Sequence, residues 1–247
     1  MNVLFYYFNR DLRDIPQICS MQTFLVLVAG GSGSRMGADR PKQFLELGGR
    51  PLMALSVQAF IDAFPDIVPI IVLPGDWLAA GQEILAHQFP ARSFRFAAGG
   101  ETRFHSVQNG LALVDGEGVV FVHDAVRCLV SVSLIRRCYE SAERTGSAIP
   151  AIPVRDSLRV LTASGSQPIN RDLVRAVQTP QTFRTEQLKS AFTLTYRPSF
   201  TDEATVVEAS GHPVTLVEGE ETNIKVTYPI DLVLAERLLA SGKGHFS

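Results

Sequence analysis

The sequence lacks any apolar run near the ~20 residues that a bilayer-spanning helix requires. It also lacks an excess of either charge: 23 basic against 25 acidic residues give a net charge of −2. A nucleic-acid partner would call for a strong basic excess, so none is expected. Cysteine is scarce, limited to Cys19, Cys128 and Cys138. Their spacing makes neither a disulfide framework nor a metal-ligand set, a usage that a reducing cytoplasm permits. His87, His105, His212 and His245 have no metal-ligand spacing, and His123 reads as a packed strand residue. No Ser-His-Asp or Cys-His signature is present, and no repeat, low-complexity segment or linker interrupts the chain.

What remains is a chain of 247 residues that is 46% apolar and 19% charged, enough to bury a sizeable core. The first twenty residues, MNVLFYYFNRDLRDIPQICS, are apolar only from Val3 to Phe8. No basic segment precedes that run, and Arg, Asp and Pro follow it, so a signal peptide is not expected. The expectation is that residues 1–20 lie outside the fold and that Met21 is the natural start.

From Phe24 the chain alternates in type. Phe24–Ala29 is a continuous apolar run of the kind buried on both faces of a parallel sheet. Pro51–Phe64 has helical spacing with Pro at its start. Strand patterns at 67–73, 94–97, 119–122 and 148–154 alternate with helical ones at 77–88, 102–114 and 131–144, the last with Ser131 as its cap. This predicts an α/β fold, a mostly parallel Rossmann-like sheet with helices on both faces. Residues 157–177 break the rhythm with short β-like runs around Ala163-Ser164-Gly165-Ser166 and read as a protruding β-hairpin arm, about 155–177. Helices at 185–196 and 202–210, a strand at 213–217 and a helix at 228–239 complete a single domain spanning 21–247.

The first strand runs into LVLVAGGSGSRMGADRPKQFLELGG, residues 25–49. Glycines after a strand leave backbone N–H groups open to an anion. The stretch is not a P-loop, because Arg35-Met36 stands where Lys and Ser/Thr are needed. It is not a dinucleotide fingerprint either, because the third glycine position holds Met36. The nucleotidyltransferase pattern G-x-G-x-R-M followed by Pro-Lys does fit, with Gly31, Gly33, Arg35, Met36, Pro41 and Lys42.

Seven further strings join this loop in order: PKQFL (41–45), GGETRFHSV (99–107), HDAVR (123–127), PVRDS (153–157), TPQTF (179–183), TDEA (201–204) and VEGEETNIKVT (217–227). With AGGSGSRM (29–36), they make the chain resemble the 2-C-methyl-D-erythritol 4-phosphate cytidylyltransferases of the non-mevalonate isoprenoid pathway. The resemblance covers the chain from about Phe24 to the last helix.

The resemblance implies an enzyme, a nucleotidyltransferase in which a substrate phosphate attacks the α-phosphorus of CTP and releases pyrophosphate. It assigns catalytic roles to Arg35, Lys42 and Lys225. Nucleotide binding falls to Ala29, Gly30, Gly31, Ser32, Gly33, Gly100, Arg103, Ser106, Asp124 and Ala125. Substrate binding falls to Asp124, Arg127, Ser157, Arg171, Thr179 and Thr201. Asp124 is the implied ligand for Mg²⁺, an ion that takes few carboxylates and completes its shell with substrate phosphates. The implied partners are CTP, a polyol phosphate and a second copy joined through the arm, in a cytoplasmic homodimer without nucleic acid or membrane.

Some positions depart from the family's pattern. Gly30 replaces a common Ala, Val126 widens the usual HDAAR, and Cys128 stands where Pro is usual. Thr222 replaces a frequent Asp, which puts a substrate contact there in doubt. None of these removes a phosphate-binding cation. The chain ends soon after its last helix, so a fused cyclase domain is not expected. Two alternatives share the loop: a ribitol-5-phosphate cytidylyltransferase and a non-catalytic nucleotide-binding module.

Overall fold

The structure, a computed structural model, describes residues 21–30 and 40–241. The expectations for residues 1–20 and for Gly31, Ser32, Gly33 and Arg35 lie outside the described residues.

The first strand, β1 (Gln22–Val28), is buried along its apolar length. Successive side chains of a strand point to opposite faces, so an unbroken apolar run must be covered on both. That is what is found. Leu25 and Leu27 enter one core layer and Phe24 and Val26 the other. Two short strands, β2 (Glu46–Leu47) and β3 (Arg50–Pro51), pair with each other and lead into α1 (Leu52–Ala63). Then follow β4 (Val68–Leu73), α2 (Leu78–Gln88), β5 (Arg95–Ala98), α3 (Arg103–Leu111), β6 (Gly118–Asp124), α4 (Val132–Thr145) and β7 (Ser147–Pro153).

Strands β5, β4, β1 and β6 lie side by side and parallel, with Val28 paired to Asp124 on one side and to Val72 on the other. Helices α1, α2 and α4 cover one face. Helix α3 covers the other, together with the later α5 (Thr185–Ala191) and α6 (Glu203–Ala209). The predicted doubly covered parallel sheet is therefore present, and Ser131 caps α4 through Leu134 N–H at 2.9 Å. Among the described residues no helix is long and apolar enough to cross a membrane.

The second half is less regular than expected. After β7 the chain forms β8 (Leu158–Thr162) and β9 (Gly165–Ile169), a separate two-stranded antiparallel sheet within the stretch expected to form the arm. It then rejoins the main sheet: β10 (Arg175–Val177) pairs antiparallel with β7, Arg175 opposite Pro153. A strand that the pattern did not announce, β11 (Gln181–Arg184), inserts antiparallel between β6 and β7. Helix α5 is also shorter than expected. Beyond Ala191 the chain tightens into turns, Thr193 N–H bonding Ser190 C=O and Leu194 N–H bonding Ala191 C=O. The strand β12 (Leu216–Glu218) adds parallel to β7, and α7 (Pro229–Ala240) packs on a small third core with Leu52, Val126, Leu129 and Val226.

Candidate active site

In an open parallel sheet the carboxyl ends of the strands form the natural crevice. Here β1 ends at Val28 and β6 at Asp124, in register. Because β11 runs the other way, its entrance lies at that same edge, with Gln181 opposite Val122. This brings Thr179 to Asp124 although 55 residues separate them: the Asp124 N–H donates to Thr179 Oγ1 at 3.1 Å.

Asp124 is the hub. Only 7% exposed, its Oδ1 accepts from Arg103 Nη2 at 3.2 Å and its Oδ2 from Lys225 Nζ at 2.8 Å. Arg127 Nε lies 3.8 Å from Oδ2. Burial alone would push the Asp124 carboxyl up, but Arg103, Lys225 and Arg127 override it and hold the group well below the usual carboxylate range. Asp124 is thus ionised at neutral pH.

Arg103 opens α3, next to its cap Thr102, and is gripped from two sides by Asp124 and by Glu203 Oε1. Its burial is outweighed by these two carboxylates, and its pKa is raised. Glu203 is 1% exposed, and burial pushes its carboxyl up against the opposing pull of Arg103. Burial likewise lowers Arg127, with Asp124 pulling the other way. Arg127 Nη1 donates to the Asn223 carbonyl at 2.8 Å, tying the HDAVR loop to the segment that carries Lys225. Lys225 itself keeps 44% of its side chain exposed.

The other predicted residues gather around this edge. Gln43, buried, donates to the Ala29 carbonyl at 2.6 Å and so ties the Pro41-Lys42 turn to the end of β1. Lys42 begins that turn and is 9% exposed. Gly30 and Gly100 converge on Ser106. A Cβ at Gly30 would sit 3.3 Å from Ser106 Oγ, and one at Gly100 only 2.4 Å from the His105 Cβ. Glycine at 100 is therefore required for the loop to approach α3. Ser106 Oγ accepts from Gly100 N–H and donates to Thr102 C=O, each at 3.0 Å. Ala125 has its N–H on the Val28 carbonyl, and its C=O accepts from Ser56 Oγ. Both Ser106 and Ala125 are thus held by internal bonds.

Two predicted residues stand apart. Ser157 and Arg171 lie on the exposed arm, and among the described residues neither is bonded to the Asp124 cluster. Arg171 Nη1 donates to the Arg155 carbonyl at 2.6 Å, and Arg155 pairs with Glu221. Thr201 is exposed, two residues ahead of Glu203. Sequence reasoning missed Glu203 and Asn223, although both lie inside the TDEA and NIKVT strings. The available signal was a second carboxylate in the first turn of α6. Asn223, fully buried, donates to the Thr179 carbonyl at 2.8 Å.

The donor set bears on the metal. Among the described residues no group of three His, Cys, Asp or Glu is assembled, so they form no all-protein cage. One ionised carboxylate beside a cluster of cations suits an ion whose remaining ligands are substrate oxygens. Among the described residues Cys128 and Cys138 are free and buried, and burial pushes both thiols up to about 12, away from reactivity.

The family model described as IspD, 2-C-methyl-D-erythritol 4-phosphate cytidylyltransferase, matches residues 23–241. The chain belongs to the IspD family. It is 47% identical over 221 residues to the 2-C-methyl-D-erythritol 4-phosphate cytidylyltransferase of Bacteroides thetaiotaomicron, with 89% of this chain and 100% of the relative covered. The corresponding enzyme of Phocaeicola vulgatus is 46% identical over 219 residues, with 89% of this chain and 100% of the relative covered. Among solved structures, the cytidylyltransferase from Thermus thermophilus aligns with a TM-score of 0.65 at 34% identity, covering 87% of this chain and 98% of that one. The 4-diphosphocytidyl-2C-methyl-D-erythritol synthase from Anaerococcus prevotii shares the fold, with a TM-score of 0.74 at 23% identity over 89% of this chain and 99% of that one. IspD family members are nucleotidyltransferases, and the cation cluster around Asp124 lies inside the matched span.

Proposed function

We infer that the protein transfers the cytidylyl group of CTP to 2-C-methyl-D-erythritol 4-phosphate in isoprenoid precursor biosynthesis. The observation that carries this reading is the convergence of Arg103, Arg127 and Lys225 on Asp124 at the carboxyl edge of a family-matched sheet.

A phosphate monoester has its second pKa near about 6, so at neutral pH it is already a nucleophile without a general base. One of its oxygens forms a bond to the α-phosphorus of CTP while the bond from that phosphorus to the β-phosphate oxygen breaks. The leaving pyrophosphate carries away the electron pair. Charge is the obstacle, because two anions must meet; positioned cations remove it. Lys225, with its partly exposed side chain, and Arg127 serve the acceptor phosphate. Lys42 and Arg35 serve the triphosphate, the glycine loop offers it backbone N–H groups, and Ala29, Gly30, Gly100 and Ser106 frame the base. Asp124 aligns the cations and would hold Mg²⁺, which when bound neutralises phosphate charge.

The acceptor site is completed by a second copy. Among the described residues, Ser157 and Arg171 reach no member of the Asp124 cluster in their own chain, and Leu161 and Leu173 on the same arm are 84% and 83% exposed. An arm of this kind seeks a partner surface, so we read the enzyme as a homodimer joined by residues 155–177. A cytoplasmic setting suits its scarce cysteines, of which the described Cys128 and Cys138 are free.

Pyrophosphate release with CTP and Mg²⁺ tests the reading, with methylerythritol 4-phosphate compared against ribitol 5-phosphate. Turnover should favour the former. Preference for ribitol 5-phosphate would overturn the acceptor assignment, and CTP binding without pyrophosphate release would overturn the enzymatic one.

A further inference from the structure

We propose that His123 is a positioning residue: one imidazole, through Thr179 and the Arg127 carbonyl, sets the shape of the loop that presents Asp124 and Arg127. The functional meaning of that loop rests on the reading above; the bonding pattern does not.

His123 is completely buried, its ring edge-on to Phe60 with centroids 5.1 Å apart. Its Nε2 lies 3.1 Å from the Arg127 carbonyl oxygen and its Nδ1 lies 3.0 Å from Thr179 Oγ1. A carbonyl only accepts, so Nε2 must carry the hydrogen. In the neutral ring Nδ1 is then an acceptor, and Thr179 must spend its hydroxyl hydrogen on it. The same Thr179 oxygen accepts the Asp124 N–H at 3.1 Å. For a neutral imidazole the polarity of the whole chain follows: Asp124 N–H to Thr179 oxygen, Thr179 O–H to Nδ1, Nε2–H to Arg127 C=O.

The consequence is geometric. The imidazole spans the turn from 123 to 127, and the Arg127 N–H closes it by donating to the Asp124 carbonyl at 2.9 Å. The turn is pinned from behind by Val126 C=O, which accepts from Val226 N–H at 3.0 Å. Asp124 thus faces its cations from a backbone whose amide is already bonded, and Arg127 points at the Asn223 carbonyl from a fixed carbonyl of its own. Thr179 has no hydroxyl hydrogen left to donate. Its part in substrate binding is therefore indirect, which changes the role that the family resemblance suggests for it.

Two measurements test this. Nitrogen-15 NMR of histidine-labelled, unsubstituted protein, with His123→Gln used for assignment, should show the Nε2–H tautomer at position 123. An Nδ1–H tautomer would overturn the proposal, and this readout needs no activity. In steady-state kinetics, His123→Phe should raise KM for the acceptor phosphate about tenfold, while KM for CTP moves less than about threefold. His123→Gln, which keeps a donor towards Arg127, should recover part of that loss. Adding Thr179→Val to His123→Phe should cost no more than about a further threefold, because both changes cut the same relay. Multiplicative losses would mean that Thr179 acts independently of His123 and would overturn the proposal, as would His123→Phe kinetics within about twofold of the parent. If His123→Phe fails to fold, the tautomer decides. Absence of turnover with any acceptor, alongside the Nε2–H tautomer, would remove the functional reading and leave the relay standing.

Discussion

Arg103 and Arg171 are both expected to meet ligands, yet their surroundings are opposites. Arg103 is clamped between Asp124 and Glu203, two carboxylates buried in the core. Arg171 sits in the exposed turn that follows the hairpin and spends one donor on the carbonyl of Arg155, itself an exposed residue. The first site is organised by its own chain before any ligand arrives. The second is a set of side chains on a strut, whose apolar residues Val160, Leu161 and Ile169 are left without cover. Pre-organisation at the cluster favours chemistry; exposure on the arm favours assembly.

The sharpest way to break this contrast is to remove its hub. Asp124→Asn should lower turnover by about 10³-fold, measured as pyrophosphate release, and leave three cations facing a neutral amide. Loss of the buried partner should also cost about 3 kcal/mol in denaturant unfolding. Next in size is Lys42→Ala, expected to lower kcat by about 10²-fold while the thermal midpoint moves less than about 4 °C. Arm variants should act differently. Arg171→Ala should raise KM for the acceptor about tenfold with unfolding unchanged, and Leu161→Glu with Leu173→Glu should shift the protein to monomer in light scattering.

A pH measurement sharpens the comparison further. The folded pKa of Asp124 is depressed, so its stabilising contribution is fully present above the unfolded value of about 3.9 and is lost as pH falls through the folded one. Unfolding free energy should therefore drop below about pH 4, and Asp124→Asn should remove that component. The smallest effect is expected at Arg159, whose guanidinium bonds Ser166 across the exposed hairpin. Arg159→Ala should change stability by less than about 0.5 kcal/mol and leave the rate alone.

The sequence was most readable where one physical rule dominated. Phe24–Ala29 is apolar throughout because both faces of β1 are covered, and such a run admits few other readings. Ser131 announced the start of α4 because a cap is a local event. By contrast β11 is four residues long, too short to establish a period, and its place between β6 and β7 depends on partners far back along the chain. The cations of the cluster stood out as members of motifs. What holds them did not, because a buried glutamate and an exposed one have the same letter: Glu203 matters through Arg103, 100 residues earlier. His123 was legible as a packed strand residue, while its bonds to Thr179 and Arg127 belong to the folded chain alone.

The pairing of Arg175 with Pro153 brings the two ends of the arm together on β7, so everything between them is an excursion from a closed doorway. The entropic cost of such an excursion grows only logarithmically with its length. Lineages can therefore lengthen, trim or redecorate the hairpin without disturbing the register that delivers Thr179 to Asp124. The decoration of that segment can drift while the strand edge that carries Asp124 stays fixed.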